Sequence, residues 1–124
     1  MRRILTLGAT IALGLSTMFA ATPAQAAATG YDRCPQGYLC LFSDNDGNGT
    51  MAYFKFGSPD LRGQSMDNRA SSFANRSGQG FSAYLDYNYQ NCVLGLNAYY
   101  TAGENLYHWW NADNTFSSVK AGSC

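Results

Sequence analysis

Charge and histidine are scarce in this chain. Its 124 residues hold eight Lys plus Arg, eight Asp plus Glu and a single histidine. The acidic residues are scattered, with no pair marked for acid/base work. His108 stands beside Trp109-Trp110 with no catalytic grouping identifiable around it. Acid–base and nucleophilic catalysis both depend on such groupings, so the composition argues against an enzyme, and packing among aromatics accounts for His108 better. Beyond the opening Met1-Arg2-Arg3 there is no basic run. Phosphate contacts need clustered Lys and Arg, so a nucleic-acid partner is excluded. No cysteine pair approaches CxxC, which removes the usual zinc frameworks. Helical periodicity is scarce past the first thirty residues. No segment there approaches membrane-spanning length, so no membrane partner is expected.

The first thirty residues carry an export pattern. A short basic start precedes an apolar run from Ile4 to Ala21, and Ala24-Gln25-Ala26 supplies a small-x-small cleavage site. This predicts a signal peptide over residues 1–26, cut after Ala26 or, second, after Ala28, and a secreted, extracellular product. The remaining chain, residues 27–124, has the length of one domain. Without Arg2 and Arg3 it carries six basic against eight acidic residues, a formal balance of −2.

All four cysteines (Cys34, Cys40, Cys92 and Cys124) fall in that part. An even count in a short exported chain reads as two disulfides. Three connectivities are open to four cysteines. The favoured one joins Cys34 to Cys40 as a local clasp and Cys92 to Cys124 as a tie on the tail. Strand signals are frequent: Tyr38–Phe42, Met51–Phe56, Phe81–Leu85 and Cys92–Leu96 are short aromatic and branched runs bounded by Gly, Asn, Asp or Ser. Strands at this spacing predict an all-β sandwich or barrel.

The two halves repeat. Asp67-Asn68-Arg69-Ala70-Ser71-Ser72 recurs 46 residues later as Asp113-Asn114-Thr115-Phe116-Ser117-Ser118. Upstream, Phe42 stands seven residues before Gly49 and Tyr84 seven before Asn91. Gly and Asn are the residues that best tolerate left-handed backbone, so Asn91 replaces the glycine with little strain. Shared order of these features reads as an internal duplication. Aromatic-x6-Gly followed by D-N-x-x-S-S resembles the βγ-crystallin Greek-key motif and its microbial calcium-binding members. The resemblance implies one domain, a sandwich of two Greek keys over about 34–78 and about 79–124, with each six-residue motif near the start of its last strand. It also implies two calcium sites. Asp67, Asn68, Arg69 and Ser71 contribute to one, and Asp113, Asn114, Thr115 and Ser117 to the other. Arg69 and Thr115 act there through their backbone carbonyls. The partner motif's first loop, at 44–49 or 86–89, completes each site. Asp44–Gly49 also matches the opening of an EF-hand loop, but its twelfth position is Lys55 rather than a bidentate Glu.

A further resemblance is to the secreted metalloproteinase-inhibitor family of the Streptomyces type, which shares the βγ-crystallin fold. It is carried by Cys34-Pro35-Gln36-Gly37-Tyr38-Leu39-Cys40-Leu41, by Arg69–Asn75, and by Cys92-Val93 nineteen residues after Phe73. It implies a proteinaceous peptidase inhibitor whose Cys92–Val93 bond, on an exposed disulfide loop, is offered to a thermolysin-like enzyme. Val93 supplies the apolar residue such enzymes favour after the scissile bond. The chain departs from that pattern in one respect, since no second cysteine follows between Val93 and Tyr100. The expected partner is therefore a secreted protease, bound by a monomer. Two other roles fit the same fold: a calcium-binding structural or cell-surface protein, and a killer-toxin-like antimicrobial protein. The aromatic stretch from Tyr99 to Trp110 reads as core or as a partner surface.

Overall fold

The computed structural model describes residues 27–124, and the signal peptide expected over 1–26 lies outside the described residues. Eight strands form: β1 (Leu39–Phe42), β2 (Met51–Phe54), β3 (Gly57–Ser58), β4 (Ser72–Asn75), β5 (Phe81–Asp86), β6 (Gln90–Leu96), β7 (Glu104–Asn105) and β8 (Ser118–Ala121). They assemble into two antiparallel four-stranded sheets, ordered β2-β1-β4-β7 and β3-β8-β5-β6. The four aromatic-rich runs become β1, β2, β5 and β6. The two D-N-x-x-S-S segments lead into β4 and β8, where the Greek-key resemblance places them.

The sheets exchange strands. β3 of the first half pairs with β8 of the second, and β7 of the second half pairs with β4 of the first. Gly57 permits the first exchange. Its φ is +132°, and a Cβ there would stand 2.3 Å from the Val119 carbonyl oxygen, so no larger residue allows β3 to approach β8 this closely.

One core lies between the sheets, built from Leu39, Leu41, Phe54, Phe73, Phe81, Ala83, Leu96, Phe116 and Val119 among others. β1 is buried on both faces. Leu39 and Leu41 point into this core, while Cys40 and Phe42 pack outward against Cys34, Tyr31 and Tyr38 of the N-terminal segment. The Cys34–Cys40 disulfide clasps that segment in place, with Cα atoms 5.8 Å apart. On the other sheet the tail crosses the outer face of β5, where the Ser82 hydroxyl donates to the Gly122 carbonyl at 2.7 Å. Cys124 then joins Cys92 of β6. Both favoured cysteine pairs are thus the ones formed. Among the described residues no helix is long and apolar enough to cross a membrane.

Candidate functional site

Cys92–Val93 lies on β6, the edge strand of its sheet. The register pairs Ala83 with Leu94 and Tyr84 with Cys92, so Val93 is the extra residue of a β-bulge. Gln90, Asn91 and Cys92 are exposed, and Val93 and Leu94 are half-buried against the core. The bond expected on a disulfide loop therefore sits in an extended strand, and its anchor is the pairing to Cys124 across 32 residues. Beside it, β5, the end of β6 and the tail frame a groove of about 370 Å³ whose walls include Gly80, Gly95 and Gly122. The other backbone edge of β6 is unpaired, which leaves main-chain groups open to a strand-like partner.

The duplicated segments meet across the pseudo-symmetric centre. Asn68 N–H donates to the Phe116 carbonyl and Asn114 N–H to the Ala70 carbonyl, both at 2.8 Å. Both asparagines have left-handed backbone, with φ of 52° and 57°, a conformation Asn adopts at little cost. Ser71 Oγ reaches Asn114 Oδ1 at 3.1 Å, so the fifth position of one motif meets the second position of the other. Ser71 and Ser117 are buried, and their N–H groups donate to the Phe42 and Tyr84 carbonyls. Arg69 turns its guanidinium to the Ser65 carbonyl at 2.8 Å. The Thr115 hydroxyl donates within its own turn, to Asn111 and Ala112, and Asp113 is exposed.

Asp67 differs from the rest. Its Oδ2 accepts from the Tyr87 hydroxyl at 2.8 Å, and that acceptance holds the Tyr87 phenol above the ordinary tyrosine range. Its Oδ1 is buried and has no hydrogen-bond partner, the one such side-chain atom among the described residues. Tyr87 belongs to the turn after β5, so the loop of one motif touches the Asp/Asn pair of the other, as the resemblance implies. No three His, Cys, Asp or Glu side chains cluster among the described residues. What the segments offer is oxygen from carboxylate, amide, hydroxyl and backbone, a donor set suited to a hard cation and not to a soft one. The orphaned Oδ1 fits such an occupant.

The sixth serine of each motif has a role that sequence reasoning missed. Ser72 Oγ donates to the Asp44 carbonyl at 2.6 Å and accepts from Gly47 N–H at 3.0 Å. Ser118 Oγ does the same with Asp86 and the Tyr89 N–H, at 2.6 and 3.1 Å. Each clamps the folded turn between the first two strands of its own motif. The Asp44–Gly49 segment is one of these turns, with a three-residue 3₁₀ turn at Asn45–Gly47 and no flanking α-helix, so it is not an EF-hand. His108 pairs with Glu104 at 2.7 Å, a carboxylate one turn earlier that the sequence reading had not linked to it.

The profile of peptidase inhibitor family I36 matches residues 27–96, which takes in the first Greek key and all of β6. The chain belongs to this family. No curated protein matches it in sequence. Among solved structures, a βγ-crystallin from Ciona intestinalis is similar at 22% identity over 69% of this chain and 100% of that one, with a TM-score of 0.53. The N-terminal domain of protein S is similar at 17% identity over 69% and 96%, with a TM-score of 0.56. A βγ-crystallin domain from Clostridium beijerinckii is similar at 17% identity over 70% and 99%, with a TM-score of 0.53. These likenesses establish the βγ-crystallin fold of this family I36 chain, and at such identities nothing more.

Proposed function

We propose that this family I36 member is a secreted inhibitor of thermolysin-like metalloproteinases that presents the Cys92–Val93 bond in substrate-like form. The observation that carries the reading is the position of that bond at the bulge of an exposed edge strand. Proteins capture extended peptides by adding them to an open strand edge, and β6 is already extended. Preorganisation of this kind reduces the entropy lost on association. The strand also answers the missing loop cysteine. After a cut, the Cys92 side stays tied to Cys124, and the Val93 side stays paired to β5 through Leu94, Gly95 and Leu96. Both new ends remain in place, so religation competes with release.

An inhibition titration of the secreted protein tests this against a thermolysin-like metalloproteinase, a subtilisin-like protease and papain, with intact mass taken afterwards. Stoichiometric inhibition of the first, with slow cleavage between Cys92 and Val93, is the expected result. Val93→Asp, verified as folded by circular dichroism because Val93 packs against the core, removes inhibition. Inhibition of none of the three, or an unaltered Val93→Asp variant, overturns the assignment.

The orphaned Asp67 oxygen favours a second, compatible property. The Asp67–Ser71 and Asp113–Ser117 segments hold two calcium ions, through side-chain oxygens of Asp67, Asn68, Ser71, Asp113, Asn114 and Ser117 and the Arg69 and Thr115 carbonyls. A calcium module without inhibitory activity is the alternative if the titration fails. Ligand binding to the native state alone adds about 2.7 kcal/mol at roughly 100 times Kd. Millimolar calcium is therefore expected to raise the melting temperature by several degrees, and an unmoved transition rejects calcium.

A further inference from the structure

We propose that Tyr87 is a positioning residue for one calcium site, holding the Asp67 carboxylate so that this site fills before the one at Asp113. The inference rests on the calcium reading above and adds an order of binding to it. Tyr87 comes from the second half of the chain and Asp67 from the first, and the phenol donates to Oδ2 at 2.8 Å. With Oδ2 fixed, the carboxylate cannot turn its other oxygen out to solvent, and Oδ1 stays buried without a donor. An acceptor removed from water and left unpaired is costly, and a cation beside it relieves that cost.

The phenol is itself held. The Arg62 guanidinium stacks over the Tyr87 ring, 4.4 Å from its centroid. Asp60 grips that guanidinium from the other side, with Nε to Oδ1 at 3.0 Å and Nη2 to Oδ2 at 2.8 Å. Asp60 Oδ1 also accepts from the Arg62 backbone N–H at 3.0 Å, which fixes the start of the 3₁₀ turn Leu61–Gln64. A chain of contacts, Asp60–Arg62–Tyr87–Asp67, thus leads to the one orphaned oxygen. Groups that orient a metal ligand from behind typically change metal affinity tenfold or more.

The second site lacks this support. Asn45 occupies the turn position corresponding to Tyr87, and both Asn45 and Asp113 are exposed. The Ser71 Oγ to Asn114 Oδ1 bond, at 3.1 Å, joins a ligand of each site and so does not separate them. The same motif sequence therefore makes one site whose carboxylate is held from behind and one whose carboxylate is not.

Calorimetric titration of the secreted protein with calcium chloride tests the order. Wild type is expected to show two classes of site. Asp67→Asn should abolish the tighter class and Asp113→Asn the weaker. Tyr87→Phe, which keeps the ring under Arg62 and removes only the hydroxyl, should weaken the tighter class about tenfold. It should leave the weaker class unchanged. Arg62→Ala keeps the phenol but frees the ring, and should weaken the tighter class by a smaller factor. If Tyr87→Phe weakens both classes alike, or neither, the positioning role fails while calcium binding stands. Two equal wild-type sites also overturn it. Absence of binding by wild type overturns the calcium reading and this inference together.

Discussion

Asp67 and Tyr87 carry a consequence for pH. Acceptance by the Asp67 carboxylate holds the Tyr87 proton more firmly in the folded protein than in the unfolded chain, whose phenol titrates near 10.0. A raised folded pKa contributes stability that is fully present below the unfolded value and is lost as pH rises through the folded one. Urea denaturation of wild type should therefore show a steeper loss of stability above pH 10 than Tyr87→Phe shows; parallel profiles would mean that the bond contributes nothing. Other residue-scale features divide by what a sequence can show. Asn91 in place of Gly49 was legible, and both have left-handed φ, 58° and 77°. The D-N-x-x-S-S segments were legible from their repetition. The clamping role of Ser72 and Ser118 was not, because their partners lie 25 to 32 residues away. Asn75 ends the Arg69–Asn75 run, but its structural role was not legible: fully buried, it donates to the nearby Gln79 carbonyl and to the distant Leu96 carbonyl, both at 2.8 Å. Polar residues chosen for distant backbone partners leave no local pattern.

The elements show the same division. β1, β2, β5 and β6 declare themselves because each carries a run of β-prone apolar side chains, aromatic in the first three and branched in β6. β3 and β7 have two residues each, Gly57-Ser58 and Glu104-Asn105, and no β-prone side chain among them. They are strands only because β8 and β4 offer an edge, which is a property of the assembled sandwich. Gly57→Ala tests how much β3 matters. The added methyl would meet the Val119 carbonyl oxygen, and the backbone conformation is strained for any L side chain. A loss of about 1–3 kcal/mol is expected by chemical denaturation, and an unchanged midpoint would show that β3 is dispensable. The other edge, β6, is managed differently. Polar residues at Gln90 and Asn91 and a bulge at Val93 break its regularity, devices that discourage indiscriminate strand pairing. They leave it open to a partner shaped to the bulge. The resemblance to inhibitors implied a loop at Cys92–Val93, and the missing second cysteine was visible in the sequence; the pairing of this segment to β5 was not.

At the scale of the whole molecule, the connections between halves are non-covalent apart from the chain itself. One disulfide stays within the first half and the other within the second. What joins the halves is the exchange of β3 and β7, the shared core, and the reciprocal hydrogen bonds of Asn68 and Asn114. Each sheet is therefore incomplete without its neighbour's strand. Polypeptides 27–78 and 79–124, made separately, are each expected to lack a cooperative melting transition and to recover one when mixed in equal amounts. A half that melts cooperatively alone would show the exchange to be ornamental. The exchange also sets what either half lacks. A single Greek key of this chain has one sheet short of a strand and one strand without a sheet, and each half holds the strand that the other is missing.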